Sequence, residues 1–184
     1  PSSAAVDTVA RHLNIACFET PTGWKFFGNL LDAGKISICG EESFGTGSNH
    51  VREKDGLWAV LFWLQILAAN KCSVSELISK HWHKYGRHYY SRHDYEAIPS
   101  SIANQIYGNL EKLLPSFKNN RFANCSVKEA INYSYEDPID NSISVNQGLK
   151  ITLEDNSRII VRLSGTGTKG STLRLYFEKY QGKN

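Results

Sequence analysis

The chain has 184 residues, 41% hydrophobic and 21% charged, with a formal net charge of +3 and a pI near 8.7. That length accommodates one large or two small domains, and buries a real core without disulfide or metal staples. The composition excludes disordered, collagen-like and low-complexity chains, and the mild basicity suits an anionic ligand but is too weak to argue for nucleic acid by itself.

Ser2 or Ser3 caps a short first helix in which Val6, Val9, Ala10 and Leu13 fall at helical spacing. Residues 15–18 read as a buried strand. Thr20-Pro21-Thr22-Gly23 punctuates it. A second helix runs from Trp24 to about Ala33, with Gly34 at the C′ position, where a positive φ is wanted. Residues 35–39 form the next strand, and strand, short helix, strand is the pattern of a βαβ unit with parallel strands and a right-handed crossover. A glycine-rich loop covers 40–56. Asp55 then caps an apolar helix starting at Leu57, and Ser73-Val74-Ser75-Glu76 is a capping box for a helix ending near Gly86.

After Gly86 the texture changes. Residues 87–95 read as a strand. Pro99-Ser100-Ser101 opens a helix with Ile102, Ile106, Leu110, Leu113 and Leu114 on one face, ending before Pro115. The remainder reads as antiparallel strands over 126–135, 149–154, 158–163 and 172–178, with Asp155-Asn156 as a tight turn. The expected fold class is α/β followed by α+β. A partial βαβ-type mixed-sheet domain spans 1–86, and a small antiparallel sheet with a packed helix spans 87–184.

Cys17, Cys39, Cys72 and Cys125 form no C-x-x-C pair and have no histidine at zinc spacing. They read as reduced core thiols of a cytoplasmic protein. The longest apolar run, 57–69 with Gln65 inside it, is shorter than the roughly 20 residues of a bilayer span. It reads as a buried core helix. No secretory signal opens the chain. There is no methionine, and Pro1 leads straight into helix-like material, so the sequence reads as a piece of a longer protein.

Three segments carry candidate chemistry. Thr22-Gly23 and the stretch Gly40-Glu41-Glu42-Ser43-Phe44-Gly45-Thr46-Gly47-Ser48 follow strand ends, where open α/β sheets bind ligands. Glu41 and Ser43 are two apart and share a face of an extended loop. A carboxylate and a hydroxyl suit vicinal sugar hydroxyls. Lys54, with His50 and Arg52 nearby, adds positive charge. The alternative is a solvated glycine-rich surface loop.

The third segment runs from Arg162 to Arg174. Glycines at 165, 167 and 170 interleave with hydroxyls at 164, 166, 168, 171 and 172, a pattern that turns backbone N–H groups inward as an anion nest. Strand parity puts Ile159, Val161 and Leu163 on one face and Leu173, Leu175 and Phe177 on one face, so Arg162 and Arg174 point away from the core. Two guanidiniums beside such a nest suit a phosphate. The stretch is not a P-loop, because no G-x-x-x-x-G-K-[ST] is present and a strand follows it. The alternative is a polar hairpin loop.

His81, His83 and His88 lie among Trp82, Tyr85, Tyr89 and Tyr90. This composition fits single-stranded nucleic acid, but packing at the junction of the two domains is the favoured reading. Asp137-Pro138-Ile139-Asp140 reads as a turn with proline at its second position, rather than as a small metal motif.

Four of these stretches together resemble the phosphoglucomutase family, of the eukaryotic type, within the α-D-phosphohexomutase superfamily. They are Glu19-Thr-Pro-Thr-Gly-Trp-Lys-Phe-Phe27, Cys39-Gly-Glu-Glu-Ser-Phe-Gly-Thr-Gly-Ser48, Arg52-Glu-Lys-Asp-Gly-Leu-Trp-Ala59 and Arg162-Leu-Ser-Gly-Thr-Gly167. The family has four domains around a cleft, and this chain looks like most of the third and most of the fourth. The resemblance implies that Thr22, Gly23, Glu41, Ser43 and Lys54 bind the sugar phosphate. It implies that Arg162, Ser164, Gly165, Thr166, Gly167 and Arg174 hold the phosphate that is not being transferred. Thr168-Lys169-Gly170 departs from the smaller residues common there.

The implied reaction interconverts glucose 1-phosphate and glucose 6-phosphate through glucose 1,6-bisphosphate, with a phosphoserine as donor and Mg2+ as cofactor. The family's Ser-His-Asn nucleophile loop and Asp-x-Asp-x-Asp magnesium loop are missing from this sequence. The expected partners are therefore sugar phosphates and the N-terminal domains of the same protein, with no nucleic acid and no membrane. The chain alone is expected to be inactive, with no catalytic residue and no metal ligand of its own. Two other classes remain: a non-catalytic, phosphoglucomutase-like structural or interaction protein, and a nucleic-acid or zinc module built on the histidine patch.

Overall fold

The computed structural model describes residues 1–182 except Asn119, Ala123, Thr168 and Lys169, with the backbone alone of Thr166 and Gly167. The chain divides into two units. One comprises Pro1–His88, Asp137–Ser142 and the residues from Gln181; the other comprises Tyr89–Glu136 and Ile143–Tyr180.

The first unit contains α1 (Ala5–Leu13), α2 (Trp24–Asp32), β1 (Ile38–Gly40), β2 (Thr46–Ser48), α3 (Gly56–Asn70) and α4 (Val74–Tyr85). Its core is built on α2, whose Phe26, Phe27, Leu30 and Leu31 recur one turn apart and are buried. The helix stops where Gly34 takes φ +64. The Gly34 N–H donates to Leu31 O and the Lys35 N–H to Leu30 O, the paired bonds of a Schellman stop. Asp55 caps α3 by accepting from the Trp58 N–H at 2.8 Å. Ser73 and Glu76 form a reciprocal capping box on α4, and Gly86 at φ +82 ends that helix.

Three expectations change in this unit. Residues 15–18 form no strand among the described residues and are exposed. The strand predicted over 35–39 is β1, shifted to Ile38–Gly40, and it pairs antiparallel with β2. No parallel crossover forms, because β2, only five residues downstream, satisfies the β1 backbone by a hairpin. Helix α3 has no buried residue. Leu57 is 73% exposed. An apolar helix without a polar face fits burial on several sides at once, whereas here its main contacts among the described residues are with β2 and α4. No single helix among the described residues is long and apolar enough to cross a membrane.

The cysteines are thiols, but only Cys39 is buried and Cys17 is exposed. The Asp137–Asp140 stretch is a turn, closed by the Asn141 N–H to Asp137 O bond. Asp137 is fully buried and accepts from Asn29 Nδ2 of α2 at 3.0 Å and from the Ile139 N–H at 2.9 Å.

The second unit is organised by β3 (Arg87–Ile98), α5 (Ser100–Phe117), β4 (Arg121–Phe122), β5 (Cys125–Asn132), β6 (Tyr135–Glu136), β7 (Ile143–Ser144), β8 (Leu149–Leu153), β9 (Arg158–Gly167) and β10 (Gly170–Gln181). Six strands form one sheet in the order β3-β10-β9-β8-β5-β4. The ladders from β10 through β4 are antiparallel. The core lies between this sheet and α5, around Leu114, Val127, Leu149, Ile151, Leu153, Val161 and Leu173. Asn156 at φ +64 makes the β8–β9 turn, where the Ser157 N–H donates to Asp155 Oδ1 at 2.9 Å.

Two details of α5 differ from the sequence reading. Its inward face is Ala103, Tyr107, Leu110, Leu114 and Phe117, whereas Ile102, Ile106 and Leu113 are exposed. Alanine at 103 lets the helix approach closely, and that rotates the contact stripe. The helix also continues through Pro115 to Phe117. Only one backbone N–H is lost there, and the end is tied off by the side chains of Ser116 to Leu113 O and Asn120 to Ser116 O. The fold class nevertheless stands: helices mixed with short strands, followed by a curled antiparallel sheet under one helix.

Candidate functional site

In the first unit the β1–β2 hairpin presents Glu41 and Ser43. The Glu41 N–H donates to Gly45 O at 2.8 Å, and Phe44 takes φ +63 at the tip. Glu41 Oε2 accepts from Ser43 Oγ at 3.1 Å and from Lys54 Nζ at 2.7 Å. The predicted trio Glu41, Ser43 and Lys54 is therefore a single hydrogen-bonded group. The Glu41 side chain is 10% exposed and that of Lys54 is 48% exposed. The hydrogen bond to Glu41 pushes the Lys54 ammonium above its ordinary range, keeping it charged. Burial, and then the Glu41 charge, raise the Cys39 thiol beneath the loop.

Thr22 and Gly23 sit at the start of α2, with Gly23 at φ +135. Their neighbour Trp24 reaches the trio, with its ring 5.8 Å from Lys54 Nζ and beside Gly47. The segment carrying Lys54 is pinned from several sides. Arg52 Nε donates to Asp32 Oδ1 at 2.6 Å, and Arg52 Nη1 to Asn49 O at 2.9 Å. His50 joins Ser48 Oγ through Nδ1 and Asp55 Oδ2 through Nε2. The bond from His50, followed by the Trp58 N–H, holds the Asp55 carboxyl below its usual value. Sequence reasoning had placed His50 and Arg52 only as nearby charge. Their role is to fix the chain on both sides of Lys54.

In the second unit Arg162 of β9 and Arg174 of β10 are direct cross-strand partners. They share the sheet face away from the α5 core with Arg158/Glu178, Ile160/Tyr176 and Ser164/Thr172, each a facing pair, and Ile160, Tyr176 and Glu178 on it are buried. The Arg162 stem lies over Gly148, where a Cβ would come within 3.1 Å of its Cγ. Arg162 Nη1 and Arg174 Nε are shut off from solvent and have no hydrogen-bond partner among the described residues. Gly165 takes φ +87, the left-handed conformation a nest requires. The bulge between Gly170 and Thr172 widens the ladder beside it. Gly167 faces Gly170 in the register. The side chain of Thr166, and all of Thr168 and Lys169, lie outside the described residues.

Ser171, counted in the sequence with the loop hydroxyls, has another job. It is 2% exposed, bonds to Gly165 O and lies 3.0 Å from Ser100 Oγ at the start of α5. It staples the loop rather than facing a ligand.

The histidine patch packs α4 on α1. His12 and His81 both contact the Tyr85 ring, and His88 Nε2 meets Thr8 Oγ1 at 3.2 Å. Among the described residues no group of three or more His, Cys, Asp or Glu is placed to hold a metal ion.

A family model described as phosphoglucomutase-1, C-terminal domain, matches residues 87–184. Another, described as phosphoglucomutase/phosphomannomutase, alpha/beta/alpha domain III, matches residues 1–85. The chain belongs to the phosphoglucomutase family. It is 59% identical to a phosphoglucomutase of Rhizobium radiobacter over 98% of its own length and 33% of that protein. Identity to human phosphoglucomutase-1 is 55%, over 98% of this chain and 33% of the relative. A crystal structure of the Paramecium exocytosis-sensitive phosphoprotein pp63/parafusin, a phosphoglucomutase in its open form, superposes with a TM-score of 0.88 at 51% identity, covering 99% of this chain and 32% of that one. The chain thus spans about a third of the length of these phosphoglucomutases and corresponds to a C-terminal part of them.

Proposed function

We propose that the chain is the sugar-phosphate-binding C-terminal part of an enzyme interconverting glucose 1-phosphate and glucose 6-phosphate through glucose 1,6-bisphosphate. The observation that carries this reading is the facing pair Arg162 and Arg174 beside Gly165: Arg162 Nη1 is buried without a hydrogen-bond partner among the described residues, and buried Arg174 Nε has only the Asp94 carboxylate near it, at 3.5 Å. Two like charges opposite each other in a ladder are unfavourable unless an anion compensates them. Arg162, Ser164, Gly165, Thr166, Gly167 and Arg174 hold the phosphate that is not transferred. Glu41, Ser43 and Lys54, with Thr22 and Gly23 at the start of α2, grip the sugar and its phosphate. The work of these residues is orientation and charge neutralisation.

Covalent phosphoryl transfer belongs to the segments of the parent protein that supply the serine nucleophile and the magnesium ligands. Mg2+ would polarise the transferring phosphoryl group there. The isolated chain binds substrate without turning it over, and the 1–86 and 87–184 parts divide the task between sugar and phosphate.

The test is a titration of the chain with glucose 1,6-bisphosphate, read by backbone amide NMR. Shifts at residues 41–43 and at 164–167 support the assignment. No shift at millimolar ligand, with the chain demonstrably folded, overturns it. Metal-dependent mutase turnover by the chain alone would disprove the division of labour.

A further inference from the structure

Strand β3 contributes a residue to the arginine face that the sequence pattern does not single out. Asp94 receives a bidentate contact from Arg92, with Nε to Oδ1 at 2.8 Å and Nη2 to Oδ2 at 2.5 Å. The same Oδ2 lies 3.5 Å from Nε of Arg174 on the neighbouring strand β10. Arg174 Nε is closed to solvent and makes no hydrogen bond among the described residues. The nearby carboxylate compensates its charge without saturating it.

We propose that Asp94 is a positioning residue of the phosphate site, tying the Nε edge of Arg174 to Arg92 so that its two terminal nitrogens remain directed at the anion. The inference rests on the assignment of Arg174 to phosphate. Three features of the geometry support it. A guanidinium offers two edges to carboxylates or phosphates. Asp94 approaches Arg174 at Nε, not at its two terminal nitrogens. Asp94 is itself fixed, because Arg92 occupies both its oxygens and the side chain is only 19% exposed. The contact from Arg92 also holds the Asp94 carboxyl below its usual value, so it stays ionised under ordinary conditions. The carboxylate also explains how the facing pair Arg162 and Arg174 is tolerated before any ligand arrives: its negative charge lies beside one of the two.

The test compares the wild-type chain with Asp94→Asn and Asp94→Glu. Three quantities are read: amide spectra as a check of the fold, the side-chain Nε–H signal of Arg174, and the affinity for glucose 1,6-bisphosphate. Asp94→Asn should broaden or lose the Arg174 signal and weaken binding about three- to tenfold, the cost of ordering one long side chain on binding. Asp94→Glu, which keeps the charge, should recover part of both. Unchanged or tighter binding by Asp94→Asn, with the wild type binding normally, overturns the inference alone, since the carboxylate would then be inert or a competitor. Failure of the wild type to bind removes the phosphate assignment and this inference with it. If Asp94→Asn does not fold, Asp94→Glu carries the test through the Arg174 signal. An Arg174 resonance identical to the wild type despite the displaced carboxylate would overturn the inference.

Discussion

Lys54 fills the space that a side chain at Gly45 would need: a Cβ there would lie 2.8 Å from both Cδ and Cε of the lysine. The glycine therefore keeps Lys54 against Glu41. Gly45→Ala should push the lysine outward, which costs little because the far end of a flexible side chain can move. Stability should change by less than about 1 kcal/mol, while the shifts expected at Glu41 and Ser43 on adding glucose 1,6-bisphosphate should weaken. Gly47→Ala is the contrast, because its Cβ would meet Glu53 O at 2.9 Å and the Trp24 ring at 3.0 Å. Backbone and a packed ring cannot yield so easily, and overpacking of this kind costs about 1–3 kcal/mol. Thermal unfolding of the two variants checks the order. Equal losses would mean that Lys54 is as rigid as the backbone.

The facing arginines predict an opposite exchange between stability and binding. Replacing Arg162 with Gln removes a like-charge neighbour of Arg174, so the unliganded chain should hold its stability within about 1 kcal/mol. Phosphate binding should fall about ten- to a hundredfold, the worth of charged hydrogen bonds. Calorimetric titration with glucose 1,6-bisphosphate beside a denaturant series measures both. A large loss of stability with unchanged affinity would make Arg162 a structural residue.

What the sequence made legible were features set by a few neighbouring residues. The Asp55 cap, the Ser73–Glu76 box and the Gly34 and Gly86 stops each depend on one turn of chain, and all are found as read. That Arg162 and Arg174 lie on the face away from the α5 core followed from strand alternation alone, but alternation did not foresee that Ile160 and Tyr176 on that face are buried and that Phe177, read onto the core face, is exposed. What failed depended on distant partners. Residues 15–18 and 57–69 are apolar enough to be buried, but apolarity does not say by what, and this chain does not bury them. The face of α5 turned on Ala103, a residue too small to register in a hydrophobic stripe. Asp94 was invisible because its meaning arises only where β3 lies beside β10.

Arg158 and Glu178 face each other at the other end of the arginine face. Arg158 Nε donates to Glu178 Oε2 at 2.8 Å, and the side chains are 10% and 3% exposed. Breaking such a pair from one side leaves a buried charge, at a cost of about 3–5 kcal/mol. Arg158→Met alone should therefore destabilise strongly. Arg158→Met with Glu178→Leu should recover most of the loss, since an apolar pair of similar size removes the desolvation cost on both sides. Urea unfolding of the two single variants and the double variant provides the cycle. Additive losses would show that the two groups act independently.

His81 makes the stability of the first unit depend on pH. Burial, and then the like charge of His88, hold its imidazole below the usual 6.5. A group whose folded value is depressed binds its proton more readily when unfolded. Between the two values the unfolded chain takes up more protons, so stability rises with pH across that window. The contribution is complete above 6.5 and is lost as pH falls from there toward the folded value. His81→Phe keeps an aromatic ring against Tyr85, which lies 4.9 Å from the imidazole, and removes the proton. Melting curves between about pH 7.5 and 5.5 should then fall less steeply for the variant than for the wild type. Parallel pH profiles would place the acid sensitivity of that window in other groups. The carboxylates of Asp55 and Glu76 act in a lower one. Both are held below their usual values by hydrogen bonds, from His50 to Asp55 and from the Ser73 N–H to Glu76. Their loss would appear only at lower pH, below the ordinary carboxylate values of 3.8 and 4.5.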